Sequence, residues 1–75
     1  MIDFDAHRVA RLRRRAEAVG LGLLESRAAP GHYVLYSYDR RLYVAADGLR
    51  KRAPRLTLTD VDLALYGIES RLQPV

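Results

Sequence analysis

Cysteine is absent from this chain, so no disulfide staples the fold. Histidine is scarce: His7 and His32 stand in separate segments without the paired spacing of a zinc site, which argues against a structural metal. Long apolar runs are missing too, the longest being only a few residues and far too short to cross a bilayer. The opening MIDFDAHRVARLRRR carries acids and arginines where a secretory leader has its apolar core, so a cytoplasmic protein with no membrane segment is expected. Catalytic patterns are lacking as well. There is no cysteine nucleophile, no Gly-x-Ser-x-Gly, no glycine-rich phosphate loop and no carboxylate pair placed for acid and base roles. Asp60 and Asp62 flank a helix start, where capping accounts for them, and His32 behind Pro30-Gly31 reads as a residue opening a strand. A non-enzymatic protein without metal or cofactor is the expectation.

What is present fits one small folded domain, residues 1–75. A chain of this length buries only about 60% of the surface its unfolded form exposes, so it needs an economical core or self-association. A hydrophobic content of 49% with 29% charged residues is ordinary for a globular chain. Thirteen basic residues against nine acidic ones leave a net charge of +4, which points toward nucleic acid or another acidic partner. Only Lys51 among the basic residues is lysine and ten residues are alanine, a bias that GC-rich coding produces without selection for binding.

Val9, Leu12, Ala16 and Val19 recur at helical spacing and predict a helix over 5–19. Asp3 and Asp5 are candidate caps, Phe4 a candidate staple, and Gly20 a left-handed stop. Three extended segments follow, 21–27, 33–38 and 42–46, separated by Ala28-Ala29-Pro30-Gly31 and by Asp39-Arg40, and they predict an antiparallel meander. Residues 49–56, basic and containing Pro54, read as a loop. Thr59 with Asp62 resembles a capping box, Val61, Ala64, Leu65 and Ile68 share one face, and Gly67 closes a short helix. The tail 69–75 shows no periodicity, with Leu72 or Val75 as its candidate anchor. The fold class expected is therefore α+β: an N-terminal helix, a three-stranded antiparallel β-meander and a short C-terminal helix, α-β-β-β-α.

An even turn at Asp39-Arg40 pairs Leu35 with Val44, Ser37 with Leu42 and Tyr33 with Ala46 on one side, the core side. The other side then holds Val34, Tyr36, Tyr38, Arg41, Tyr43 and Ala45. A second even turn over 28–31 puts Leu24 with Leu35 and Leu23 with Tyr36, with the first helix packing on the Leu24, Leu35, Val44 side. Both sides of the sheet are thus apolar, and the second needs cover or a use. Three readings compete: partial cover by the last helix, the tail or the basic loop; self-association; or an aromatic platform on which bases stack.

Arg8, Arg11 and Arg15, with Arg14 and His7 beside them, form a positive stripe on the first helix, and Arg50, Lys51, Arg52 and Arg55 form a second basic cluster. The functional reading is a clamp on phosphates with little sequence specificity; the plain one is a solvated surface in an arginine-rich chain. Two hypotheses follow. One is a nucleic-acid-associated module using these eight cations. The other is a protein-interaction module, a homodimer or a phage or mobile-element factor binding a host protein, using Tyr36, Tyr38, Tyr43 and Arg41.

The order helix, three strands, helix resembles the topology of double-stranded-RNA-binding domains. The likeness stops at topology: that family has a lysine cluster at the start of its second helix, where this chain has Thr59-Asp60-Val61-Asp62. At the level of motifs, Arg13-Arg14-Arg15-Ala16-Glu17, Gly20-Leu21, Glu25-Ser26-Arg27, Gly31-His32-Tyr33-Val34-Leu35, Val44-Ala45-Ala46 and Leu56-Thr57-Leu58-Thr59-Asp60-Val61-Asp62 are similar to a group of short uncharacterised proteins of actinobacteria and their phages. The resemblance spans most of 10–66 and implies provenance and a shared fold, with no function to transfer. The loop 49–55 is longer and more basic here than in that group.

Overall fold

The structure, a computed structural model, describes residues 4–72; Asp3 as a cap and Val75 as an anchor lie outside the described residues. The element order is α1 (Phe4–Ala18), β1 (Leu21–Glu25), β2 (Tyr33–Ser37), β3 (Leu42–Ala45), β4 (Gly48–Arg50) and α2 (Leu58–Leu72). The class is α+β, as the pattern predicts, but the sheet has four strands in the order β1-β2-β3-β4, all antiparallel. The extra strand comes from the segment read as loop. Ala46-Asp47 makes a tight reversal, and Gly48, Leu49 and Arg50 pair with Ala45, Val44 and Tyr43. Three residues are too few for an alternation signal, and the basic composition masked the strand.

Helix α1 holds no glycine or proline and ends where expected: Gly20 takes φ 81° and its N–H donates to the Glu17 carbonyl at 3.1 Å. Helix α2 differs from expectation at both ends. Its capping box is Thr57 with Asp60, not Thr59 with Asp62. The Asp60 N–H donates to Thr57 Oγ1 at 3.2 Å and the Thr57 N–H to Asp60 Oδ2 at 3.1 Å. At the other end the helix runs through Gly67 to Leu72, because packing of Ala64, Leu65 and Ile68 on the core outweighs the roughly 1 kcal/mol helix cost of one glycine.

The β2–β3 register is the one predicted, Leu35 opposite Val44, Tyr36 opposite Tyr43 and Ser37 opposite Leu42. The turn is a four-residue loop, 38–41, held by Ser37: its carbonyl accepts from the Arg41 N–H at 2.7 Å and its Oγ from the Arg40 N–H at 3.3 Å, with Arg41 at φ 56°. Tyr33 does not meet Ala46. Its partner is Leu56, through backbone bonds of 2.7 and 3.1 Å, so the chain returns after β4 to lie beside the start of β2.

The β1–β2 register departs from expectation by one residue. Leu23, not Leu24, lies opposite Leu35, because the connecting loop is odd. Ser26 pairs with His32 around it, and Pro30-Gly31 turns the chain with Gly31 at φ 80° and the His32 N–H donating to the Ala29 carbonyl at 3.0 Å. The slip exchanges every β1 side chain between faces, which puts Leu21 and Leu23 in the core and leaves Leu24 half exposed. Both helices then pack on one face, where Leu12 and Ala16 of α1 and Val61, Ala64 and Leu65 of α2 close over Leu21, Leu23, Leu35 and Val44, joined by Leu56 and Leu58.

Candidate nucleic-acid interface

The other face of the sheet carries neither helix. Register places Gly22, Leu24, Val34, Tyr36, Tyr43, Ala45, Gly48 and Arg50 on it, with no carboxylate among them. Tyr36 and Tyr43 sit directly across from each other on neighbouring strands and are half-buried, their ring centroids 5.3 Å apart and their planes inclined at 66°. Tyr38, first residue of the β2–β3 turn, packs edge to face on Tyr36 at 5.4 Å and 78° while staying 61% exposed. Gly22 makes that position available. The Tyr38 hydroxyl and ring edge occupy the space in which a Cβ on residue 22 would stand, with ring carbons 2.8 and 2.9 Å from it. Val34 on this face is buried, so the face is sheltered at its β2 start and open around Leu24 and Tyr38.

The arginine stripe of α1 is divided by the fold. Arg15 turns to α2, where Nε and Nη2 donate to the two carboxylate oxygens of Glu69 at 3.1 and 2.7 Å and Nη1 donates to Asp62. These bonds, Glu69 first and Asp62 second, raise the Arg15 pKa, and the bond from Arg15 holds the Glu69 carboxyl below its ordinary range. Arg8 also faces α2, donating to Thr59 Oγ1 at 3.3 Å. The side of α1 predicted to face solvent is therefore partly a helix–helix contact, and the fork that a phosphate would need on Arg15 is already filled. Arg11 and Arg14 are exposed and have no partner among the described residues. A cleft of about 290 Å³ lies between the helices against Arg8, Arg11, Arg15 and Asp62, whose carboxylate opposes an anion there.

Of the second cluster, Arg50 lies beside Tyr43 but bends back to Asp47, at 2.8 and 2.7 Å, and to the Leu49 carbonyl at 3.2 Å. Lys51, Arg52 and Arg55 are exposed and unpaired among the described residues. They lie in the segment that joins β4 to Leu56, the residue bridged to Tyr33. Arg41 is exposed in the turn beyond Tyr38.

Two arginines guard the sheet edges. Arg13 Nε donates to the Leu23 carbonyl of β1 at 3.4 Å, and Arg50 does the same for the Leu49 carbonyl of β4. Charged side chains on edge carbonyls oppose strand addition by another chain. Sequence reasoning missed Arg13 and Gly22. A glycine inside the otherwise apolar run Leu21-Gly22-Leu23-Leu24 was the available signal for the second, while nothing in one dimension marks the first.

A separate groove of about 630 Å³ opens between the C-terminal half of α2 and the β3–β4 hairpin, against Val44, Leu49, Ala64 and Ile68, with Arg40 and Arg71 among its charged neighbours. Among the described residues no three metal-ligating side chains cluster, and no helix is long and apolar enough to cross a membrane. Comparison of the chain with protein-family profiles, with curated proteins and with solved structures finds no match in any of the three.

Proposed function

We propose that this protein is a small non-enzymatic binding module that associates with nucleic acid through the helix-free face of its sheet. The observation that carries the reading is the composition of that face: three clustered tyrosines and no carboxylate on its strands, with an exposed basic segment following β4 in the chain. Aromatic rings supply stacking surface and unpaired cations supply contacts to phosphate. Arg52 and Lys51, exposed and unpaired among the described residues, are freer for this than Arg15 or Arg8, whose donors serve α2. The test is fluorescence anisotropy of labelled mixed-sequence nucleic acids with nuclease-treated protein at about 50 and 200 mM salt, the range in which phosphate contacts are most evident. Binding that weakens with salt, and falls in Lys51→Ala with Arg52→Ala more than in Arg11→Ala with Arg14→Ala, supports the face. Absence of binding at the lower salt overturns it.

A second reading, a protein-interaction module using Tyr36, Tyr38 and Tyr43, is favoured by Leu24, 50% exposed on the same face. Sedimentation equilibrium separates the two, since a self-associating face gives a dimer that Leu24→Asp dissolves.

A further inference from the structure

The geometry points to a single strand, not a duplex, as the nucleic acid this face accepts, with bases taken one at a time by Tyr36, Tyr38 and Tyr43 and phosphates by the 51–55 segment. The inference rests on the proposed nucleic-acid reading and narrows it. Its first support is the inclination of the rings. Tyr43 and Tyr38 meet Tyr36 at 66° and 78°, so no two neighbouring rings offer a common plane. A base pair is one rigid plane and a duplex is a continuous stack of them, whose base faces are covered by their neighbours. Inclined rings can be matched only by bases free to splay, which a single strand provides.

The second support is the division of the face. Leu24, Val34, Tyr36, Tyr38 and Tyr43 make one apolar and aromatic half across β1, β2 and β3, while the strand cation of this face, Arg50, lies on β4 and the exposed Lys51, Arg52 and Arg55 follow it in the chain. A single strand presents the same division, bases to one side and phosphates to the other. A duplex presents phosphates on both sides of each groove, and half of them would lie over uncharged surface. The third support is the scarcity of groove-reading side chains on the described strands. On the helix-free face they carry no Asn, Gln, Ser, Thr, Asp or Glu, and the one arginine there, Arg50, has its guanidinium on Asp47. Recognition through ring faces alone is tolerant of sequence.

The experiment compares four labelled ligands of equal length against the full chain: a mixed-sequence single-stranded RNA, the matching single-stranded DNA, the DNA duplex, and an abasic strand with the same phosphates and no bases. The expected result is that the two single strands bind at least about tenfold more tightly than the duplex and the abasic strand. Each of Tyr36→Ala and Tyr43→Ala loses about 5- to 150-fold, the effect of one stacked base. Tyr38→Ala, at an exposed turn position, is the variant that keeps the fold and still weakens binding, whereas Tyr36→Phe retains it. Lys51→Ala with Arg52→Ala lowers the salt slope, which the tyrosine variants leave unchanged. Duplex binding equal to or tighter than single-strand binding overturns this inference and leaves the broader reading standing, as does an abasic strand that binds like the others. Failure of all four ligands at about 50 mM salt overturns both.

Discussion

Leu21, Leu23, Leu35 and Val44 on one side of the sheet are buried beneath two helices, while Leu24, Tyr36 and Tyr43 on the other side have no helix above them. The two faces are built from similarly apolar residues, yet only one is a core. What separates them is the kind of apolar residue and its neighbours. The covered face is largely aliphatic and closely filled, with Leu35 fully buried, whereas the other gathers three tyrosines whose rings pack edge to face. An apolar strand pattern thus identifies a sheet, and the residue types on each side distinguish the side the helices cover from the side they leave open.

The most severe way to break the comparison is to truncate equivalent positions on the two faces. Leu35→Ala removes the centre of the covered face and should cost about 2–5 kcal/mol, much of the stability of so small a domain. Tyr43→Ala, half-exposed on the other face, should cost well under half as much. Urea denaturation followed by circular dichroism measures both, and equal losses would mean that the second face is also core.

A smaller effect, about 1 kcal/mol, is expected from Arg15→Gln, which unties α1 from α2 at partly exposed ion pairs and should matter less in high salt. The Glu69 half of that tie has a definite pH dependence. Its folded pKa lies below the unfolded value of about 4.3, so its contribution is fully present above that pH and disappears as the pH falls through the folded value. Glu69→Gln should flatten this part of the stability profile, read as the urea midpoint against pH between about 3 and 6.

Gly67→Ala should act in the opposite direction, stabilising by about 0.5–1 kcal/mol, because the position is helical and exposed and a Cβ there meets nothing within 4 Å. Thermal unfolding checks it. The smallest expected change in stability is that of Gly22→Ala, a few tenths of a kcal/mol, since the obstructing atoms belong to the mobile end of Tyr38. It sharpens the comparison all the same. The Tyr38 ring must leave its place on Tyr36, visible as changed ring-proton shifts, and the helix-free face loses one of its three rings without loss of fold.

Much of this was legible in the residues. An even turn centred on Asp39-Arg40 gave the central register of Tyr33–Ser37 with Leu42–Ala45, and the tyrosine face and both basic clusters stand out from the sequence. The β1 register was not legible, because Leu23-Leu24 offers a leucine to each face and only the odd loop, set by the Ser26–His32 pairing, chooses between them. Nor were the roles of the arginines. Arg8, Arg13 and Arg15 belong to one helical run, yet Arg8 and Arg15 contact α2, and Arg13 reaches the edge of β1.

By itself, then, the sequence determined local conformation: where α1 stops at Gly20, where Pro30-Gly31 turns, and which apolar segments extend as the first three strands. These depend on backbone freedom and on periodicity within a few residues. Tertiary structure decided what each side chain is for. Glu69 meets Arg15 across 54 positions, Tyr38 rests on Gly22, and β4 pairs as a strand because β3 is there to receive it. Contacts between distant segments depend on how packed layers bring them together in space, and no pattern along the chain carries that information.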